Sequence, residues 1–508
     1  MILDYPYMFL SVVVPMVISL VFPFVDMDKK AFATISTVLL LIPLAIVSWF
    51  SIIGGLNEPI LDPIFFRDPS VGTFSMLLDS ISAPLAISIG LVTSMISWYS
   101  LRYMEHRFEE MEEEGHKPPG WGVYYMLYIL FSAAMMGTVL STNLIEFYIF
   151  LEISLLPSFL LIAFYGYGKR ERIALLYLIW THVGALAFLV GSLVLGLNVG
   201  TFDYFNPVRA VANLGLGEQL PASIITPVFI AILIGLFVKM AVFGVHIWLP
   251  YAHAEAPTPV SALLSPNLIG IAAYAMIRIA YVLFPSEFES LAPYMLGLAL
   301  LTIIYGGLMA LAQDDFKRFL AYSSVSQMGY LLMGIASVTA IGMAGAILHY
   351  AAHAVGKALL FATAGVLITQ LHGLRSIGKM GGLAPKMPIT ASLALIGFMH
   401  ITGIPPSLGL WSEVLILAGV SNFAVAINQF FWVVLFLLIG IGLSTAYSFI
   451  TMRRIFFGHP SEAAGEAKEA GITLLGPMII IAAVGLLLFL VPQLLVDPMI
   501  RALESLLG

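Results

Sequence analysis

The sequence predicts an all-α polytopic membrane protein of about fourteen transmembrane helices, and three observations carry that reading. Hydrophobic residues fill 60% of the 508 positions and charged residues only 10%, against about 25% charged in a soluble domain. Several apolar runs exceed the ~20 residues with which a helix crosses a hydrocarbon core. The runs are too long and too uniformly apolar for the ~10-residue alternating strands of a barrel, and lipid leaves backbone amides no third way of being satisfied.

Taken in order, the spans start near Tyr7, Ala31, Ser80, Trp121, Asn143, Ile173, Thr226, Thr258, Leu291, Arg318, Gly342, Pro388, Phe430 and Thr473. The opening MILDYPYMFL lacks a basic stretch and a small-residue cleavage site, so the first run reads as a retained span. An even count places both termini on one side. On that side fall only Arg67, Arg209 and Arg501, while Lys239, Arg278 and Lys357 fall inside spans; every other Lys and Arg lies in loops of the opposite side. By the positive-inside rule the basic loops are cytoplasmic and both termini face outward from a cell or energy-transducing membrane. With no cysteine in the chain, thiolate-held clusters and disulfides are excluded, and no redox cofactor or metal is expected on it. The net charge of −7 argues against nucleic acid as a partner.

Two spans are interrupted. The seventh, ILIGLFVKMAVFGVHIWLP, contains Gly235 and Gly244 and closes at Pro250; the twelfth, IGFMHITGIPPSLGLWSEVLIL, carries Gly403, Pro405 and Pro406 in mid-segment. Proline removes a helix donor and clashes with the preceding turn, so the twelfth cannot run unbroken. Breaks five spans apart point to two inverted five-helix repeats with an ion path at the breaks. The corresponding division is an N-terminal three-helix segment with a charged loop (1–120), a first repeat (121–285), a second repeat (286–457) and a C-terminal loop and helix (458–508). The stretch EHRFEEMEEEGHKPPG, from Glu105 to Gly120, reads as a solvated hairpin between the third and fourth spans.

An ionisable side chain at mid-membrane costs roughly 2.5–3.5 kcal/mol on insertion scales, so each one needs a partner, water or a function. Glu152 in the fifth span and Lys239 in the seventh read as an ion pair, direct or water-bridged. Such a pair is either a fixed packing bridge or a switch whose opening favours proton release from Lys239, a residue suited to this because a buried lysine readily gives up its proton. His349, His353 and Lys357 recur every four residues in GAILHYAAHAVGKALLF and share one helix face. They read as a proton relay, with helix-packing hydrogen bonds as the alternative. Glu413, just after the break in the twelfth span, takes in the second half the place Lys239 takes in the first, with His400 as a candidate partner. His246 and His253 flank the end of the seventh span and either lead to cytoplasmic water or cap helix ends. Glu146 reads as an interfacial carboxylate, His182 as a packing residue, and Arg278 as structural or a counter-ion.

Longer blocks carry a resemblance. FVKMAVFGVHIWLPYAHAEAPTPVSALL, LAQDDFKRFLAYSSVSQMGY, HAVGKALLF and TGIPPSLGLWSE resemble, in the same order, the antiporter-like subunits shared by respiratory complex I, Mrp-type sodium/proton antiporters and membrane-bound hydrogenases. The resemblance covers roughly residues 75 to 460. It implies fourteen helices with inverted five-helix repeats and places Glu152, Lys239, His353 and Glu413 on the family's fifth-, seventh-, eleventh- and twelfth-helix residues. One departure stands out: where many members carry a mid-membrane lysine in the eighth helix, this chain has Gly270, with Asn267 as the nearest polar side chain. Water or histidines bridge the relay there, or it is broken.

The resulting expectation is a proton-translocating subunit of a multi-subunit energy-converting complex. Its partners are other membrane subunits, lipid and protons, with sodium left open, and its proton-transfer residues are Glu152, Lys239, His246, His253, His349, His353, Lys357 and Glu413. The rival expectations are a self-sufficient or Mrp-type sodium/proton antiporter and a scaffold subunit with an interrupted path.

Overall fold

The computed structural model describes residues 1–68 and 70–507. Fourteen crossings follow one another close to the expected starts, from Tyr7–Ser19 and Lys29–Gly54 through Ala83–Glu113, Trp121–Leu140, Leu144–Tyr165 and Arg170–Val199. The seventh is Ala222–Met240 with a short continuation at Trp248–Glu255, and the eighth runs from Thr258 to Tyr281. Pro285–Leu311, Phe316–Ala336 and Ala340–Gln370 come next, then the divided pair Pro388–Thr402 and Leu408–Ala426, then Phe430–Phe456 and Ile472–Leu490. Among the described residues, 13 helices are long and apolar enough to span by themselves. The tenth crossing, Phe316–Ala336, is not one of them: serines, Lys317 and Gln327 lower its hydropathy, yet nearly all its residues are buried, so protein rather than lipid solvates it.

Burial decides which helices form the axis. The eighth and eleventh crossings are buried along their whole apolar window, whereas only 28% of the second and 33% of the sixth are. Ala340–Gln370 has 31 residues, a rise of about 46 Å, so this central pillar extends past a hydrocarbon core of ~30 Å. Small residues let helices approach: a Cβ on Gly235 would stand 2.6 Å from the Gly184 carbonyl oxygen of the sixth crossing. Gly235 is therefore a packing residue inside continuous helix, and the break lies later. It opens at Ala241 (φ 55°) and passes Gly244 (φ 92°) before helix resumes at Trp248, so Pro250 lies within the resumed segment rather than closing the span. In the twelfth crossing Gly403 (φ 64°) terminates one helix and Ser407 precedes the next. The eighth crossing widens into π-helical turns at Leu264–Leu268 and Met276–Tyr281, the first around Pro266, which has no amide to donate.

Both termini lie on one face. The Met1 amino group donates to the Pro59 carbonyl (2.7 Å) and Arg501 to the Asn57 side chain (2.7 Å). Three two-stranded antiparallel sheets cover this face: Ile60–Leu61 with Leu77–Leu78, Phe66–Asp68 with Gly72–Phe74, and Phe205–Asn206 with Val211–Ala212. On the opposite face the expected solvated hairpin proves more structured. The third helix continues to Glu113, and Arg107, 1% exposed, donates to the carbonyls of Tyr165 (3.1 Å) and Gly166 (2.6 Å) at the end of the fifth helix. Those carbonyls have no intrahelical partner, so a buried guanidinium supplies their donors. Tyr167 lies between Arg107 (4.0 Å) and Lys317 (5.5 Å), and the Lys317 ammonium donates to the Ala256 carbonyl.

Candidate functional site

Lys239 stands in the last turn of Ala222–Met240, immediately before the break, and is 5% exposed. Its side chain borders a cavity of about 10 Å³ walled by Phe147, Leu151, Phe188, Leu236 and Ile271, which is close to the minimum for one water. Glu152 is the carboxylate in electrostatic reach of Lys239, but its hydrogen bond goes elsewhere: Oε2 meets Nδ1 of His182 at 3.0 Å. His182 is therefore a partner in the site rather than a packing residue. The pair faces the flank of the bundle, with 43% of the His182 and 24% of the Glu152 side chain exposed. Glu146, in the first turn of the fifth helix, is covered by protein at 2% exposure, with Oε2 accepting from the Thr142 amide (3.0 Å).

The eleventh crossing brings His349, His353 and Lys357 onto one fully buried stripe. Lys357 donates to the Leu320 carbonyl (2.9 Å) and to the Ser323 hydroxyl on the tenth crossing. His353 makes no hydrogen bond through either ring nitrogen among the described residues, and neither does His253, which is also fully buried and packs its ring against Phe361 at 5.4 Å. His253 lies in electrostatic reach of Lys317, Lys357 and His353, so it faces the central cluster. Unpartnered buried nitrogens of this kind mark places where ordered water belongs. His246 lies apart from this cluster, with Nε2 3.2 Å from the Tyr305 hydroxyl on the ninth crossing.

Gly270 is covered. A Cβ there would lie 2.3 Å from Cδ2 of Tyr350, whose ring from the eleventh crossing occupies the space a longer side chain needs. The Tyr350 hydroxyl donates to the Asn267 carbonyl (3.2 Å), while both side-chain atoms of Asn267 are buried without a partner among the described residues.

From His349 a defined route leads to the second break. Its Nδ1 meets the Ser412 hydroxyl (2.9 Å) and its Nε2 the Gln327 amide oxygen (2.9 Å), and Gln327 in turn donates to the Tyr447 hydroxyl (3.2 Å). Ser412 adjoins Glu413, which is 8% exposed and has Oε1 unpartnered among the described residues. Gly403 makes room for that carboxylate: a Cβ there would stand 2.4 Å from Oε2. His400 turns away from the route. Its Nδ1 bonds to the Ile396 carbonyl (2.9 Å) of its own helix and its Nε2 points at Gly485 of the last crossing.

Ser412, Gln327 and Lys317 were outside the expected set. No charge signal marks the first two, because a neutral side chain in a span is indistinguishable from a packing residue until its partner is known. The structure also pairs Arg278 with Asp79 (2.5 Å), a carboxylate in the loop ahead of the third helix that local pattern does not connect with the eighth crossing.

The comparisons with known proteins agree with this architecture. The NADH:quinone oxidoreductase/Mrp antiporter transmembrane family matches residues 141–443. An NAD(P)H-quinone oxidoreductase chain 4-2 of Synechocystis is 34% identical over 390 residues, 76% of this chain and 66% of the relative. A chain 4 2 of Microcystis aeruginosa is 34% identical over 401 residues, 77% of this chain and 68% of the relative. The chain thus spans about two thirds of the length of these curated relatives. Among solved structures, a chain of the Mrp complex of Dietzia superposes with a TM-score of 0.84 at 21% identity, covering 99% of both chains. A chain of respiratory complex I of Thermus thermophilus superposes at 0.83 and 24% identity, covering 99% of this chain and 100% of that one. The family match extends over more than half the sequence, and the fold agrees from end to end: the chain belongs to the NADH:quinone oxidoreductase/Mrp antiporter family and is an antiporter-like membrane subunit.

Proposed function

We propose that this subunit translocates protons within a multi-subunit membrane complex of the complex I or Mrp type. Protons enter from the cytoplasmic, basic face near Lys239, pass along His253, His353, Lys357 and His349, and leave at Glu413 toward the face that carries the termini. The observation that carries this reading is the hydrogen-bonded step His349–Ser412 beside Glu413, buried in the axis of the bundle and reaching the broken helix. Lysine and histidine both gain and lose protons, and Glu413 stands at a helix break where backbone no longer seals the path. Glu152 and His182 border a lipid-height groove of about 560 Å³. An ionisable pair left against hydrocarbon is costly, which supports a neighbouring membrane subunit covering that flank. Sodium as a coupled ion rests on the Mrp likeness of the fold alone.

A second reading has its own observation. Tyr350 fills the place of the eighth-helix lysine, so the halves meet at a neutral residue and a scaffold subunit with an interrupted path would look the same there. Lys239→Ala and Glu413→Gln in the assembled complex decide between them. Proton pumping lost at unchanged assembly supports translocation; pumping unchanged for both substitutions leaves the scaffold.

A further inference from the structure

A second set of buried polar groups lies on the face that carries the termini, away from the Lys239–Glu413 route. Arg278, 2% exposed, donates through Nη2 to both carboxylate oxygens of Asp79 (2.6 and 2.5 Å). Tyr204 lies in electrostatic reach of Tyr274, Arg278 and Asp79 on one side and of Glu146 on the other, so it links the ion pair to a carboxyl group whose own charged neighbour is Asp203. Three atoms of this cluster have no hydrogen-bond partner among the described residues: Arg278 Nε, the Tyr274 hydroxyl and Glu146 Oε1. Each desolvated atom of this kind costs free energy unless water reaches it. Solvent reaches the Asp79–Arg278 end of the cluster, because both residues wall a recess of about 500 Å³ whose other sides include Leu214, Arg501, Ser505 and Leu506.

We propose that this cluster is an aqueous proton port of the first repeat, with Glu146 as its exchanging carboxyl group. The proposal rests on the proton translocation set out above and adds an exchange point separate from Glu413. Arginine does not release its proton, so Arg278 acts as a fixed cation paired with Asp79 at the mouth. Glu146 passes its proton to a water molecule, which carries it past the Asp79–Arg278 pair into the recess. The carboxylate regains a proton through water from the Glu152 and Lys239 end of the same repeat, six residues and about 9 Å further along the fifth helix.

The chain has no cysteine, so Ser505→Cys or Leu214→Cys gives it a single thiol at the recess. A third variant, Ser70→Cys, places one on an exposed turn of the same face outside the recess. The assembled complex in proteoliposomes, with the complex bearing the native chain as reference, is treated from the terminal face with a membrane-impermeant trimethylammonium methanethiosulfonate. The thiolate forms a mixed disulfide, methanesulfinate leaves, and a reductant restores the thiol. Labelling acts after folding and assembly, so a misfolded variant does not confuse the result. The expected outcome is full labelling at 505 and 214, a several-fold fall in proton pumping reversed by reductant, and no effect of label at 70. Failure to label from that face, labelling without a fall, or an equal fall at position 70 would each overturn the port. Lys239→Ala and Glu413→Gln in the same assay keep the two ideas apart. If they abolish pumping while the labels do nothing, only the port is refuted; if they leave pumping intact, the underlying reading fails.

Discussion

Placing a lysine at position 270 is the perturbation that bears most directly on whether the two halves of the path connect. In Gly270→Lys the new Cβ would meet Cδ2 and Cε2 of Tyr350 at 2.3 and 2.4 Å, where carbon atoms normally rest at about 3.5–4.0 Å. The ring must therefore retreat by more than an ångström, and the adjacent cavity, about 10 Å³ between Leu85, Tyr274, Leu331 and Ile347, cannot take it. Overpacking of this kind costs about 1–3 kcal/mol, and losing the Tyr350–Asn267 hydrogen bond adds about 1 kcal/mol. A destabilisation of about 2–4 kcal/mol is expected for the single variant. Adding Tyr350→Ala removes the obstructing ring, so the double variant should recover part of that loss, with a coupling energy of about 1–3 kcal/mol. Unfolding of the four proteins of the cycle in detergent measures both terms. Additive effects of the two substitutions, or a single variant as stable as the parent, would falsify the claim that Tyr350 occupies the lysine's place. Pumping by the double variant then reports whether a titratable group at this point helps the path.

Other substitutions test separate elements. Gly403→Ala puts a Cβ 2.4 Å from the Glu413 carboxylate at a backbone with φ 64°; a cost of about 1–3 kcal/mol and slower pumping are expected, and normal pumping would show that the carboxylate's position at the break is immaterial. Arg107→Ala strands the carbonyls of Tyr165 and Gly166, so amide exchange around residues 165–168 should accelerate, with a loss of about 1–3 kcal/mol; unchanged exchange would refute the bracing role. Asp62, in the loop after Ile60–Leu61, accepts from the Met8 and Phe9 amides (3.2 and 2.7 Å) at the start of the first helix. Burial pushes its carboxyl up to about 6 from 3.8, against the pull of those amides. Because the folded state holds the proton more tightly, the stability this group lends is complete below about pH 4 and is lost as pH rises through 6. Asp62→Asn keeps an acceptor and should flatten that part of a stability–pH profile; an unchanged profile would place the titration elsewhere.

Much of the architecture is local and therefore readable from the chain. Apolar length placed the spans, Gly403 with Pro405 and Pro406 announced the divided twelfth crossing, and fourfold spacing put His349, His353 and Lys357 on one face. The seventh break was legible in part: Gly244 lies in the turn that starts at Ala241, whereas Gly235, named with it, serves helix contact and Pro250 lies inside the resumed helix. Partnerships were the least legible layer. Glu152 bonds to His182, Arg278 reaches back 199 residues to Asp79, and His400 faces Gly485 rather than Glu413.

The sequence by itself determined that this chain crosses a membrane as helices, where two of them break, and which ionisable groups the lipid-height segments must shelter. Those properties follow from hydropathy, proline and helical period, which act over a few turns. Tertiary structure alone decided which buried group meets which, and that Tyr350 stands where a lysine would reach. Contacts between helices depend on rotation and depth in the bundle, and packing of all the crossings together sets both.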